Sequence, residues 1–212
     1  MTPRRSRSLR IVLFSLLAVA VLVLGAVLVV LIPILTHQSA GGSGQDIPAE
    51  YVSETRATGA DGRTRELRVE DSTGKLAELD AIVPGESLVI SGSGFDSGIG
   101  IYLAVCAIPA SADEKPGPCL GGIPEGAESG DAEAQAGLAS AWITNDWAWR
   151  AFATQTYDDA ERGSFTATLT VPEPTTDGLD CRVSRCAIAT RADHTAGSDR
   201  VQDILLPVAF AE

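Results

Sequence analysis

Residues 164–171 read SFTATLTV, and their alternation decides the class of fold. Phe165, Ala167, Leu169 and Val171 fall on one side and Ser164, Thr166, Thr168 and Thr170 on the other. A period of two is that of a strand with one face in a core and the other in water. Working outward, Glu86–Ser91 (ESLVIS) sets Leu88 and Ile90 on one face and runs into Gly92, Gly94 and Gly98, which read as turns and bulges. Gly100–Ala107 (GIYLAVCA) reads as a buried strand, and Ser140–Thr144 as another. Cys186–Arg191 (CAIATR) and Ile204–Phe210 (ILLPVAF) follow, the last aligning Ile204, Leu206, Val208 and Phe210, with Pro207 at an edge or bulge. The stretch 51–79 is polar, and its alternation at Glu66–Glu70 reads as a first, edge strand. Short strands without an amphipathic helix predict an all-β antiparallel sandwich over residues 80–212, with 51–79 as a polar extension.

Upstream, residues 11–35 (IVLFSLLAVAVLVLGAVLVVLIPIL) are 25 residues without a charge. As a helix they reach about 37 Å, enough for a hydrocarbon core of about 30 Å. Arg4, Arg5, Arg7 and Arg10 stand in the basic tail 1–10, and the next basic side chain, with His37 neutral, is Arg56. The positive-inside rule then predicts a cytoplasmic N-terminus and an extracellular remainder. A cleaved signal peptide would have a shorter apolar region and a small-x-small site, which Gln38 spoils ahead of Ala40, so the span reads as a retained signal anchor in the cell membrane. Residues 36–50 (THQSAGGSGQDIPAE) read as a flexible linker. All four cysteines, Cys106, Cys119, Cys181 and Cys186, lie beyond the span, and an even count outside a membrane reads as a disulfide framework.

Beyond the basic tail stand 28 acids against 12 bases, a net charge of −16. Such a surface repels nucleic acid and excludes it as a partner class. Within the loop 120–162, residues 121–137 are Gly, Ala and acid and read as an exposed loop. The second part gathers Trp142, Trp147, Trp149, Phe152 and Tyr157, five of the eleven aromatic residues of the chain, into sixteen positions.

Three stretches carry a family resemblance: GESLVISGSGFDSGIGIYLAVCAIP with the later Cys119, GSFTATLTV, and DCRVSRCAIATRADHTAGSDRVQDILLPVAF. Their strand and cysteine order resembles the neocarzinostatin family, small secreted actinobacterial proteins that carry enediyne chromophores. Two lysines and one asparagine among many Arg, Ala, Gly and Asp residues resemble an actinobacterial source as well. The resemblance covers most of 85–210 and implies an immunoglobulin-like sandwich of about seven strands, bridged Cys106 to Cys119 and Cys181 to Cys186. Two departures bear on cargo. Only PEPTTDGLD separates the SFTATLTV strand from Cys181, where chromophore carriers have a longer ribbon that walls their cleft, and the loop 120–162 is longer than its family counterpart. The resemblance therefore implies a scaffold, and enediyne binding is not carried across.

No motif points to catalysis, a metal or a cofactor. His194 lies in RADHTAGSDR between two strands, without a G-x-S-x-G elbow that would make Ser198 a nucleophile. Tyr102, Trp142, Trp147, Trp149 and Phe152 are the candidate ligand-binding residues, read either as a platform or as a cap on the core. The expected function is a non-catalytic, membrane-anchored extracellular module that binds a small apolar ligand or a cell-surface protein. The alternatives are a structural envelope domain, or surface capture of haem or another small molecule through His194, Tyr102 or Tyr157.

Overall fold

A computed structural model of the chain describes residues 5–121 and 138–211. The exposed loop expected over 121–137 falls, apart from Gly121, outside the described residues. The chain forms two units, 1–37 and 38–212. The first holds helix α1 (Arg5–Thr36), whose segment Leu9–Thr36 is long and apolar enough to cross a membrane.

The second unit is an all-β sandwich. One sheet contains β1 (Glu54–Thr58), β2 (Thr64–Asp71), β3 (Ser87–Ser93) and β6 (Phe165–Thr170) in the order β1-β2-β3-β6. The other contains β4 (Ile101–Ala107), β5 (Ser140–Ile143), β9 (Cys186–Ala192) and β10 (Ile204–Val208) in the order β10-β9-β4-β5. All pairings within both sheets are antiparallel. A two-stranded ribbon, β7 (Thr175–Thr176) with β8 (Leu179–Asp180), occupies the short PEPTTDGLD segment. The described strands thus number eight in the two sheets plus the ribbon, against about seven expected.

In β6 the predicted alternation is seen directly: Phe165, Ala167 and Leu169 are buried while Thr166 and Thr168 are exposed. The buried sides of both sheets meet in one core, including Leu67, Val69, Leu88, Ile90, Leu103, Ile143, Ile188 and Leu206. Phe95 and Phe165 meet edge to face there with centroids 5.2 Å apart. Gly92, expected in a turn, lies within β3, and a side chain on it would enter the Phe165 ring. At one end of the core Arg65 is fully buried; it donates to both carboxylate oxygens of Asp61 and, through Nε, to Gln202 Oε1 at 2.7 Å. Gln202 in turn donates to the Asp96 carbonyl, so the buried charge is fully partnered and ties the sheets together.

Three expectations are corrected. The 51–79 stretch is no extension: it supplies β1 and β2, and Leu67, Val69 and Leu79 are core residues. The alternation at 66–70 belongs to an interior strand, because a shorter and more polar β1 covers its edge. Residues 36–50 are likewise more than a tether. Gln45 accepts from the Leu205 N–H at 2.8 Å and donates to its carbonyl at 2.7 Å, copying what a neighbouring strand would offer the open edge of β10. Its amide also reaches Thr55 in β1, while Gly42 bridges to Arg200 and accepts from Ala60 N–H. This strap fills the seam between the two sheets. Pro207, two residues along the same edge as Leu205, has no N–H to leave unpaired there.

Both disulfides form as the resemblance implied, Cys106 to Cys119 and Cys181 to Cys186. Closing such short loops contributes about 2 to 3 kcal/mol each through the unfolded state. The apolar helix and the two bridges fit a single-pass membrane protein whose sandwich lies in an oxidising compartment.

Candidate functional site

The outer face of the β10-β9-β4-β5 sheet is built in cross-strand rows that follow from register. Tyr102 pairs with Trp142 on β5 and with Arg191 on β9, and Asp203 precedes the Ile204↔Thr190 pair, so one row reads Trp142, Tyr102, Arg191, Asp203. The next row is Ser140, Ala104, Ala189, Leu205. Ile47 of the strap, Ile108 and Cys119 pack over the small residues Ala104, Cys106, Ala187 and Ala189. The strap and the bridged loop therefore close most of this face and leave the aromatic row at its end.

That row is extended by two loops. Trp142, Trp149 and His194 meet one another, with Trp149 and His194 edge to face at 4.6 Å and Trp142 and His194 at 5.2 Å. Tyr102 lies 5.7 Å from the Trp142 ring and its hydroxyl is hydrogen-bonded to His194 Nδ1 at 2.9 Å. Asp193 anchors the group from beneath: buried, it accepts from Trp142 Nε1 at 2.9 Å and from the backbone and hydroxyl of Thr195 at 2.8 and 2.6 Å. It fits there because Gly100 has no side chain; a Cβ on Gly100 would overlap the Asp193 carboxylate. Trp149 is held by a turn on Asp146, and the loop is pinned to β5 by Thr154 Oγ1 accepting from Trp142 N–H. Tyr102, Trp142 and Trp149 are half-buried and His194 is exposed, so the rings form a surface that solvent reaches.

The candidate residues divide. Tyr102, Trp142 and Trp149 come together, whereas Trp147 and Phe152 stand out from the loop at 67% and 75% exposure. Tyr157 is core: it is 5% exposed, donates to the Ile99 carbonyl at 2.9 Å, and burial pushes its hydroxyl well above the ordinary phenol range. It is therefore unavailable as a haem ligand. Arg191, Asp193, Lys115 and Asp203 are site residues that the sequence reading left out. The available signal was Arg191, a lone cation closing a strand of small buried residues.

The charged end of the row is crowded. The Arg191 guanidinium lies 5.9 Å from the Tyr102 ring centroid and donates to the Pro116 carbonyl at 2.8 Å. Arg200 donates to Asp203 Oδ2 at 2.9 Å. Burial pushes the Asp203 carboxyl up to about 7 against the pull of Arg200. Lys115, half-buried within the bridged loop, is pushed down by burial and then by the neighbouring Arg191 and Arg200. No group of three or more His, Cys, Asp or Glu able to hold a metal occurs among the described residues.

A separate groove of about 500 Å³ lies by the Cys181–Cys186 bridge, lined in part by Tyr51, Val183, Pro207 and Phe210. Of its two arginines, Arg182 pairs with Asp180 and Arg185 donates to the Pro48 carbonyl at 3.4 Å.

No family model matches the chain. A curated relative, thiamine biosynthesis protein X of Corynebacterium glutamicum, is 30% identical over 143 residues. The match spans 68% of this chain and 65% of that protein's length. Among solved structures, macromomycin aligns over 68% of this chain and 99% of its own at 16% identity, with a TM-score of 0.36. A likeness that distant adds nothing about the site, and the neocarzinostatin resemblance rests on the strand and cysteine order.

Proposed function

We propose that this chain is a membrane-anchored, extracellular, non-catalytic binding module, its N-terminus cytoplasmic, and that it takes a small planar ligand at the Tyr102–Trp142–Trp149–His194 surface. One observation carries the reading: three aromatic rings and an imidazole, fixed from beneath by a buried carboxylate, are left half-exposed on a sheet face that the rest of the chain covers. A ring cluster that served only as a core cap would bury its faces, as Tyr157 does. Stacking between a flat ligand and such rings contributes about 0.5 to 1.5 kcal/mol per ring beyond burial. The relative's name puts thiamine among the first compounds to titrate.

The test uses the full chain in lipid nanodiscs, with Trp147→Phe to silence the exposed indole and empty discs as reference. A planar ligand is expected to quench the remaining tryptophan emission saturably, and Trp142→Ala to weaken that binding at least tenfold while Phe152→Ala leaves it unchanged. If no planar compound quenches the emission, the competing structural envelope role takes its place.

A further inference from the structure

We propose that the ligand of the aromatic row is anionic, its carboxylate or phosphate held by Arg191 and Lys115. This deepens the binding reading above and rests on it.

Arg191 Nε is buried and has no hydrogen-bond partner among the described residues. Buried polar atoms in folded proteins are nearly always partnered, and an unpartnered one costs about 1 to 3 kcal/mol. Arg191 belongs to the cross-strand row that holds Tyr102 and Trp142, so the deficit adjoins the proposed stacking surface.

Local charge gives the sign of the missing partner. Three cations, Lys115, Arg191 and Arg200, gather here in a unit whose net charge is strongly negative. Arg200 is committed to Asp203 Oδ2 and to the Gly197 carbonyl. Of the acids, Asp193 is committed to Trp142 and Thr195, and Asp203 is buried at 4% exposure. Arg191 has an acidic neighbour in Asp203 but, among the described residues, donates only to the neutral Pro116 carbonyl, and the Lys115 ammonium donates no hydrogen bond among them. Two half-buried cations without a paired anion are costly, and an anionic ligand group offsets that cost. Arginine is suited to this, because its fork matches a carboxylate or phosphate and its plane lies against a ring. The guanidinium is already placed over Tyr102, so a ring stacked along the row would carry its anionic substituent toward Arg191 and Lys115.

The test compares naphthalenes that share one ring system: 2-naphthoate, 2-naphthyl phosphate, neutral 2-naphthamide and cationic 2-naphthylmethylammonium. Each is titrated into the full-length Trp147→Phe chain in nanodiscs. Both acids are expected to bind at least tenfold more tightly than the amide, and the tighter acid identifies the anion. Arg191→Gln and Lys115→Gln should each remove most of the acids' preference over the amide with the near-ultraviolet circular dichroism unchanged, and Arg191→Lys should restore part of it. Raising salt should weaken the acids alone. If the amide or the cation binds as tightly as the acids, the anionic ligand class is overturned while the aromatic site stands. If no naphthalene binds, or Trp142→Ala binds them unchanged, the site itself fails and this inference with it.

Discussion

The two sheets have outer faces that could hardly differ more. On the β1-β2-β3-β6 sheet the outward side chains include Arg56, Glu66, Arg68, Glu70, Thr166 and Thr168, with Val89 and Ser91 between them, laced by ion pairs such as Arg68–Glu54 at 3.0 Å and Arg68–Glu70 at 2.9 Å. Such pairs contribute little in water and serve solubility. On the β10-β9-β4-β5 sheet the outward residues are Ala104, Cys106, Ala187, Ala189 and Leu205, buried under the strap and the bridged loop, with an aromatic and charged row at one end. The difference lies in side-chain size and hydration. Small apolar residues let another segment approach the sheet closely, whereas long charged ones keep it away. A second layer on one sheet can then frame a site, and the wet sheet cannot.

The sharpest way to break this contrast is to place the same side chain on both faces. Ala189→Lys puts an ammonium at a position of 0% exposure beneath the covering layer. It is expected to destabilise the sandwich by about 3 to 5 kcal/mol through overpacking and a buried charge. Thr168→Lys on the wet face should stay within about 0.5 kcal/mol. Urea unfolding of the two variants gives the comparison, and equal costs would mean that the second face is not covered.

A smaller effect follows from pH. Burial lifts the Asp203 carboxyl from an ordinary 3.8 to about 7. Between those values the folded protein holds a proton that the unfolded chain has lost, so the stability this group contributes falls as pH rises through the window. Full release corresponds to at most about 4 kcal/mol, and with water reaching the row on the order of 2 kcal/mol is expected. Asp203→Asn lacks the term, so melting curves should show the wild type losing ground to the variant from pH 4 to 8. Parallel pH profiles would show that Asp203 titrates normally.

The smallest expected change is at the strap. Gln45→Ala removes two hydrogen bonds to Leu205 and is expected to cost about 1 to 2 kcal/mol. Hydrogen exchange at the Leu205 amide should accelerate, while the β2–β3 amides keep their protection. Unchanged protection at Leu205 would mean that the strap does not hold the edge of β10.

Much of the fold was legible because period-two alternation is a local property. In 164–171 one residue in two is apolar, and β6 follows it residue for residue. The aromatic concentration at 142–157 drew attention to the right region, but composition treats all five rings alike. Burial separates them: Tyr157 goes to the core, Trp142 and Trp149 to the row, and Trp147 and Phe152 to solvent. Arg191 and Lys115 stayed illegible because 76 residues separate them, and only strand register and the 106–119 bridge bring them together.

By itself, then, the sequence determined what depends on neighbours along the chain: the membrane-length helix, the sandwich class, the polar face of β6 and the supply of cysteines for bridging. The tertiary structure decided what depends on partners far away. The Gly- and Ser-rich strap reads as loose because its own residues lack an apolar period, yet it is fixed by the open peptide edge of β10 some 160 residues later. The ligand surface arises in the same way, from rows across strands that no stretch of sequence contains, because hydrogen bonding between strands sets which side chains share a face.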